Sequence, residues 1–249
     1  MLNYLCGVVM KLNTVICGDC LKKKKIVSFS GGKDSTAMLI RMIELDMQID
    51  EIVFADTKAE FPEIYEHILK VEKYIGRKIT ILKTKDHWRN WFYGKNTKGK
   101  LKGQIRGFPL LCFGCYWSRE SKYKQLESFC NGHIRYIGIA YDEPKRIGTH
   151  RDYKYPLFEW KWTERDCIIY LKKIGLLGDI YSKFSRTGCW WCPKQSKKSL
   201  ITLVKEYPKY WEQLKKLEKD SPQGFNPNFS LTDIELLAER RLAQGVLSI

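Results

Sequence analysis

The sequence predicts an α/β fold, a doubly wound and mainly parallel sheet followed by a helical, cysteine-bearing C-terminal region. Three observations predict it. Strand-like and helix-like apolar patterns alternate from residue 26 to residue 82. A glycine pair, Gly31-Gly32, interrupts the chain where the first strand meets the first helix. Residues 196–249 are mainly helical in pattern, broken by Pro208 and by the Pro/Gly/Asn-rich stretch 221–228.

The first strand is Ile26-Val27-Ser28-Phe29, entered from the basic run Lys22 to Lys25. Residues 35–45 follow as a helix, with Met38, Leu39, Met42 and Ile43 at helical spacing. Residues 51–55 predict a second strand, and 62–75 a helix that starts at Pro62, where a missing N–H is harmless. Residues 78–82 predict a third strand. Segment 86–118 is rich in Gly, Lys and aromatics and reads as a long loop or insertion over the active site. A helix over 119–130 and a strand over 134–140 come next. A helix from Thr163 to Lys173 is capped by Thr163, with Asp166 three residues on. The expected organisation is an N-terminal extension (1–21), a nucleotide-binding domain (22–195) and a helical C-terminal region (196–249).

Composition narrows the class. With 249 residues, 44% of them hydrophobic, the chain is able to bury a substantial core and is too apolar to be disordered. No run of 18 or more uncharged apolar residues suggests a membrane span, and residues 1–10 lack the basic leader and cleavage pattern of a secretory signal. The expectation is a cytoplasmic protein. The 44 Lys+Arg against 28 Asp+Glu give a net charge of +16, which favours an anionic partner such as a nucleotide, RNA or DNA.

Between the first strand and first helix lies Ser30-Gly31-Gly32-Lys33-Asp34-Ser35. A loop there aims several N–H groups at one point, and the helix dipole adds to their pull on a phosphate. Ser30 and Ser35 supply hydroxyls and Lys33 supplies charge. Asp34 repels a bare phosphate, so it either caps the helix or approaches a bound Mg2+. The loop fits neither G-x-x-x-x-G-K-[ST] nor G-x-G-x-x-G.

Phe29 to Ser35 resembles the S-G-G-x-D-S loop of the PP-loop ATP pyrophosphatases, or adenine nucleotide α-hydrolases, and within them the phosphoadenosine phosphosulfate (PAPS) reductase-like proteins. The resemblance runs over roughly residues 25–195. Phe54-Ala55-Asp56-Thr57 with Glu60-Phe61-Pro62-Glu63 resembles that group's D-T-G-x-E-F-P-E. Ile137 to Arg146 resembles G-I-R-x-D-E-x-x-R, Tyr155-Pro156-Leu157 with Trp160 and Trp162-Thr163 resembles P-L-x-x-W-T, and Gly188 to Pro193 matches G-C-x-x-C. The resemblance implies that Ser30 to Ser35 hold nucleotide phosphates and that Asp56 and Thr57 lie near the nucleotide, with Ser28 and Gly138 in the same binding set. It carries over Asp142, Glu143 and Arg146 as active-site rim residues. Lys33, Asp34, Asp142 and Arg146 are the expected catalytic set. ATP and Mg2+ are the expected ligands. The sequence departs from the family at Ala140, where Arg is common, and at Lys58, where Gly is common. Sulfonucleotide reductases also carry a nucleophilic Cys in a C-terminal E-C-G-x-H context, and no Cys follows Cys192 here. The expectation is therefore against standard PAPS reduction.

Of nine cysteines, three pairs have C-x-x-C spacing. Cys112/Cys115 and Cys189/Cys192 together make a closed four-thiolate set, suited to structural zinc or an iron–sulfur cluster. Spacing alone favours Zn2+. Some relatives hold a [4Fe–4S] cluster at the G-C-x-x-C element, and the resemblance moves the expectation toward the cluster. Cys17/Cys20 has no partner pair, and Cys130 and Cys167 are expected in the core. The four histidines show no ligand spacing. Basic residues follow both pairs, Arg119, Lys122 and Lys124 after the first and Lys194, Lys197 and Lys198 after the second. They converge if the pairs share one metal. Segment 83–106 interleaves Lys/Arg with Trp88, Trp91, Phe92 and Tyr93, either for stacking on bases or as a loop with its rings tucked into the core.

The leading expectation is an enzyme that cleaves ATP to AMP and pyrophosphate and adenylates an oxygen of a second substrate. Sulfur transfer to a nucleic-acid base, fed by a sulfur-donor protein, is the natural second step. The alternatives are a PAPS or adenylyl sulfate reductase drawing a thiol from another chain, and a non-catalytic nucleotide- or nucleic-acid-binding module with structural zinc.

Overall fold

The computed structural model describes residues 23–111 and 114–243. Strand β1 (Lys25–Phe29) is followed by helix α1 (Lys33–Glu44), β2 (Glu51–Asp56), α2 (Pro62–Ile75) and β3 (Thr80–Lys83). Strands β6 (Ile134–Ile137) and β7 (Tyr153–Lys154) complete a five-stranded sheet in the order β3-β2-β1-β6-β7, with every pairing parallel. The order reverses direction at β1, between β2 and β6. Open α/β sheets bind ligands at such a switch, beyond the strand C-termini. The loop Ser30–Ser35 leaves β1 at that point.

The local chemistry of the first two helices is legible. Helix α1 buries Ala37, Met38, Leu39, Ile40 and Met42. Each buried Leu, Ile or Met side chain contributes about 1.5–3 kcal/mol. Helix α2 has its Pro at the first position and ends at Gly76, whose φ of 65° is left-handed and open to glycine. Strand β3 begins at Thr80 rather than residue 78, and β6 stops at Ile137 rather than 140. Past Ile137 the chain crosses the start of α1, and a ladder there has no neighbour to pair with.

Segment 86–118 is not a free loop over the phosphate site. It opens with helix α3 (Trp88–Tyr93), then folds back as a hairpin-like flap in which Lys95 bridges Ile105 and Asn96 N–H donates to Gln104 O at 2.8 Å. Trp88, Phe92 and Phe108 are buried in the main core. The rings pin the segment down, and its Gly and Lys residues occupy the flap. Short strands β4 (Leu110–Leu111) and β5 (Gly114–Cys115) pair antiparallel. From Tyr116 the chain is helical to Cys130, as α4 (Tyr116–Ser118), a π turn (Arg119–Tyr123) and α5 (Lys124–Cys130).

After β7 come α6 (Pro156–Glu159) and α7 (Glu164–Lys173). The capping box at the start of α7 forms as the sequence predicts, with Thr163 and Asp166 satisfying each other's backbone N–H. Helices α8 (Lys197–Glu206), α9 (Pro208–Asp220) and α10 (Leu231–Ala243) make the helical C-terminal region. Their buried residues, Leu200, Trp211, Leu214 and Ile234 among them, join the same hydrophobic cluster as Val27 and Phe54. Among the described residues no helix is long and apolar enough to cross a membrane.

Candidate active site

The loop Ser30–Ser35 is shaped by two close approaches. Gly31 has φ 71°, and a Cβ there would stand 2.9 Å from Ile64 Cγ2. Gly138, just past β6, lies so close to α1 that a Cβ would meet Ser35 Cα at 2.8 Å and Ser35 N at 2.9 Å. The loop is braced from inside. Ser35 Oγ accepts from Ser30 N–H (3.1 Å) and donates to Gly32 O (3.0 Å), and Thr36 Oγ1 also donates to Gly32 O (2.9 Å). Beneath it, buried His67 contacts Thr36 Oγ1 through Nε2 at 2.9 Å. Burial lowers the His67 pKa to about 4, so the ring is neutral near pH 7. Tyr181 closes the loop from above. Its hydroxyl accepts the Lys33 N–H at 2.6 Å, one of the amides the loop offers to an anion.

Three carboxylates gather at the mouth. One oxygen each from Asp34, Glu143 and Glu164 lies within 4.8 Å of the others. Lys33, almost fully buried, pairs with Asp34 (3.2 Å) and Glu164 (3.0 Å). Burial alone would lower its pKa, but the pull of Asp34 and Glu164 wins and raises it. Burial raises the Asp34 pKa, against the opposing charge of Lys33, and Asp34 Oδ1 is buried with no hydrogen-bond partner among the described residues. Arg146 pairs with Glu143 at 2.5 Å, a hydrogen bond that holds its pKa above the ordinary value. The cluster has more anionic than cationic groups, and an orphaned carboxylate oxygen turned inward. That donor set fits a hard divalent cation.

The remaining sequence-predicted residues separate. Asp142 does not face this cluster through a free carboxylate: its Oδ1 accepts Glu164 N–H at 3.1 Å and so caps α7. Ser28 Oγ accepts from Arg135 (3.0 Å) within the sheet. Asp56 Oδ1 accepts from Lys58 N–H and from Tyr65 O–H, both at 2.7 Å. Thr57 is fully buried and points its hydroxyl away from solvent, donating to Glu60 at 3.0 Å and accepting from the Cys189 thiol at 3.6 Å. Glu164 and Tyr181 were not singled out by sequence. Glu164 directly follows the Trp162-Thr163 pair, which is the one local signal available for it. Tyr181 has none.

The cysteine elements do converge. Trp117, two residues after Cys115, packs against Trp191, which lies between Cys189 and Cys192, with ring centroids 6.4 Å apart. Burial pushes the Cys192 thiol up and the nearby Cys115 adds to it. Burial also pushes Cys189 up, with Glu60 adding and Lys122 opposing. Lys122 reaches in from the π turn to pair with buried Glu60 at 2.7 Å. A crevice of about 30 Å3 opens on Cys189 and Cys192 between Phe61, Phe184 and Thr187. Cys112 lies outside the described residues, as do Cys17 and Cys20. Among the described residues no three cysteine sulfurs lie mutually within 4.8 Å. Of the expected basic groups, Lys122 and Lys194 come to the cysteines, while Lys197 sits over the Phe229 ring and Lys124 pairs with Glu120. Cys130 and Cys167 are buried, as expected.

Residues 24–102 match the family model of the phosphoadenosine phosphosulfate reductase domain. Over that third of its length the chain is similar to the PAPS reductase domain. The match covers the PP-loop, Asp56-Thr57 and the start of the flap. Two curated relatives, both uncharacterized proteins of Methanocaldococcus jannaschii, are 25% identical over 224 and 190 residues, or 83% and 73% of the chain. The alignments take in 44% of each relative, so the chain spans under half the length of the curated proteins it matches. Among solved structures, a PAPS reductase from Candida auris in complex with phosphate aligns at TM-score 0.47 and 12% identity, over 73% of this chain and 86% of that one. The U34-tRNA thiolase NcsA from Methanococcus maripaludis, with its [4Fe–4S] cluster, aligns at TM-score 0.42 and 19% identity, over 96% and 80%.

Proposed function

We propose that the chain binds ATP with Mg2+ at Ser30–Ser35, cleaves it between the α- and β-phosphates, and transfers AMP to an oxygen of a second substrate. The observation that carries this reading is the carboxylate trio Asp34, Glu143 and Glu164 at the mouth of an N–H-lined loop. A bare anion gains nothing from three carboxylates, whereas a metal-bound triphosphate uses both the donors and the acids.

Lys33 and Tyr181 do the positioning. Lys33 pairs with Asp34 and Glu164, and Tyr181 covers the Lys33 amide. Mg2+, held by the three carboxylates and phosphate oxygens, would supply positive charge to the departing pyrophosphate. Lys33 is then free to turn to the phosphates, and the exposed loop amides stabilise charge on the α-phosphate. The acceptor oxygen attacks the α-phosphorus, its proton passes to solvent or a carboxylate, and the bond to the bridging oxygen breaks. For the cysteines we favour a [4Fe–4S] cluster over Zn2+, on the resemblance of Gly188 to Pro193 to the G-C-x-x-C element. Cys115, Cys189 and Cys192 with Cys112 would hold it, and it would supply sulfur-handling chemistry.

Titration calorimetry with ATP, with and without Mg2+, tests the site. Glu164→Gln should weaken Mg2+-dependent ATP binding at least tenfold and leave the weak metal-free binding unchanged. Equal binding by both proteins would refute the trio's role. With candidate acceptors present, release of phosphate and never pyrophosphate would refute adenylation. Sulfite release from PAPS or adenylyl sulfate with a dithiol would favour the reductase reading instead.

A further inference from the structure

One cavity lies away from the loop Ser30–Ser35. A cleft of about 790 Å3 lies beyond the C-terminal end of β3, between the flap and the helix that runs from Tyr116. We propose that this cleft holds a single-stranded polynucleotide, the acceptor of the adenylation proposed above. The assignment of the strand as acceptor rests on that reading, and the binding itself does not.

Charge comes first. Lys85, Lys95, Lys98, Arg106 and Lys124 line the cleft, against Asp86 and Glu120. Lys124 is already paired with Glu120. Lys85, Lys95 and Lys98 are exposed, and their side chains make no hydrogen bond or ion pair among the described residues. Three unpaired lysines on one concave wall repel one another, and a polyanion relieves that repulsion while releasing its own counterions. They come from two elements, Lys85 from the end of β3 and Lys95 and Lys98 from the flap, so the fold rather than a sequence run brings them together.

The walls are aromatic as well as basic. Tyr116 is 47% exposed at the rim, a face available for stacking. Trp91 lies deeper, with the Arg106 guanidinium 5.5 Å over its ring. Trp117 lines the cleft almost fully buried, and its Nε1 has no hydrogen-bond partner among the described residues. Flat rings beside unpaired cations suit alternating bases and phosphates, whereas an acidic peptide uses only the cations. Position agrees. β3 lies two strands from β1, a separation of about 10 Å. The π turn is the wall between the cleft and the cysteines, with Glu120 and Lys124 on one side and Lys122 on the other.

Fluorescence anisotropy with labelled twelve-nucleotide single strands of mixed sequence, RNA and DNA in separate arms, tests the proposal across about 50 to 200 mM salt. The triple variant Lys85→Gln/Lys95→Gln/Lys98→Gln should lower the slope of log K against log salt by about 2, three phosphates at about 0.7 each. Tyr116→Ala should weaken binding about 5- to 150-fold, the loss of one stacked base. A control of equal charge change at the opposite edge of the fold, Lys154→Gln/Lys172→Gln/Lys173→Gln, should leave most of the affinity. Calorimetry shows whether the cleft variants still bind ATP. Loss of strand binding with ATP binding intact supports the cleft; loss of ATP binding by Glu164→Gln with strand binding intact keeps the two readings apart. An unchanged slope in the cleft variant, an equal loss in the control variant, or a polyglutamate peptide binding as tightly as either strand would overturn the proposal.

Discussion

Acidification should weaken this fold through His67, and the loss is calculable. The ring is 3% exposed beneath the PP-loop, against Thr36 Oγ1 and close to Gly178. Its folded pKa is about 4 against an ordinary 6.5, chiefly from burial, with Lys70 lowering it further and Asp179 opposing. Sign follows from proton counting. Below 6.5 the unfolded chain binds a proton that the folded ring refuses. The stabilisation is therefore full above about 6.5 and is lost as pH falls toward 4. A difference of two to three pH units corresponds to about 3 kcal/mol in all, and about 2 kcal/mol of it falls between pH 7 and pH 5. For a domain whose total stability is of order 5–15 kcal/mol this is readily measured. Urea denaturation of the wild-type chain and of His67→Gln at both pH values isolates the term, because every other titrating group is common to the two proteins. The wild type should lose about 2 kcal/mol more than the variant on going to pH 5. Equal losses, within about 0.5 kcal/mol, would refute a neutral buried ring beneath the loop.

Gly138→Ala should cost about 1–3 kcal/mol and weaken ATP binding, since the new Cβ meets Ser35 backbone atoms rather than a movable side chain. Gly188→Ala, where nothing lies within 4 Å, should be neutral in the same denaturation and calorimetry. Lys58 has φ 56°, a left-handed conformation that strains any residue with a Cβ. Lys58→Gly should raise stability by about 0.5–1 kcal/mol, seen as a higher urea midpoint, because relief of strain exceeds the added entropy of glycine in the unfolded chain.

The features legible in the sequence are those fixed by neighbours along the chain. The loop after β1, Pro62 opening α2 and the Thr163–Asp166 box depend on a few adjacent residues, and each stands where the sequence puts it. Lys58 was legible only as a departure from glycine, and its positive φ gives that departure a physical meaning. Strand β7 was not legible, because Tyr153-Lys154 has no apolar run and exists only through its ladder to β6. Trp88, Phe92 and Phe108 looked like loop aromatics because burial is decided by Trp191 and Phe225, about a hundred residues away. Tyr181 over Lys33 and Glu60 beneath Lys122 are likewise products of the fold, with 148 and 62 residues between the partners.

The π turn at Arg119–Tyr123 sets the phase between two surfaces of one helix. A π turn holds one residue more than the regular helix around it. Deleting one residue from the turn would restore regular winding and keep α4 and α5 in phase. A deletion within α5 ahead of Leu126 would instead turn Leu126 and Cys130 by about 100°, off the sheet they pack against, while Lys122 keeps Glu60. The segment is thus open to shortening at the π turn and closed to it in α5.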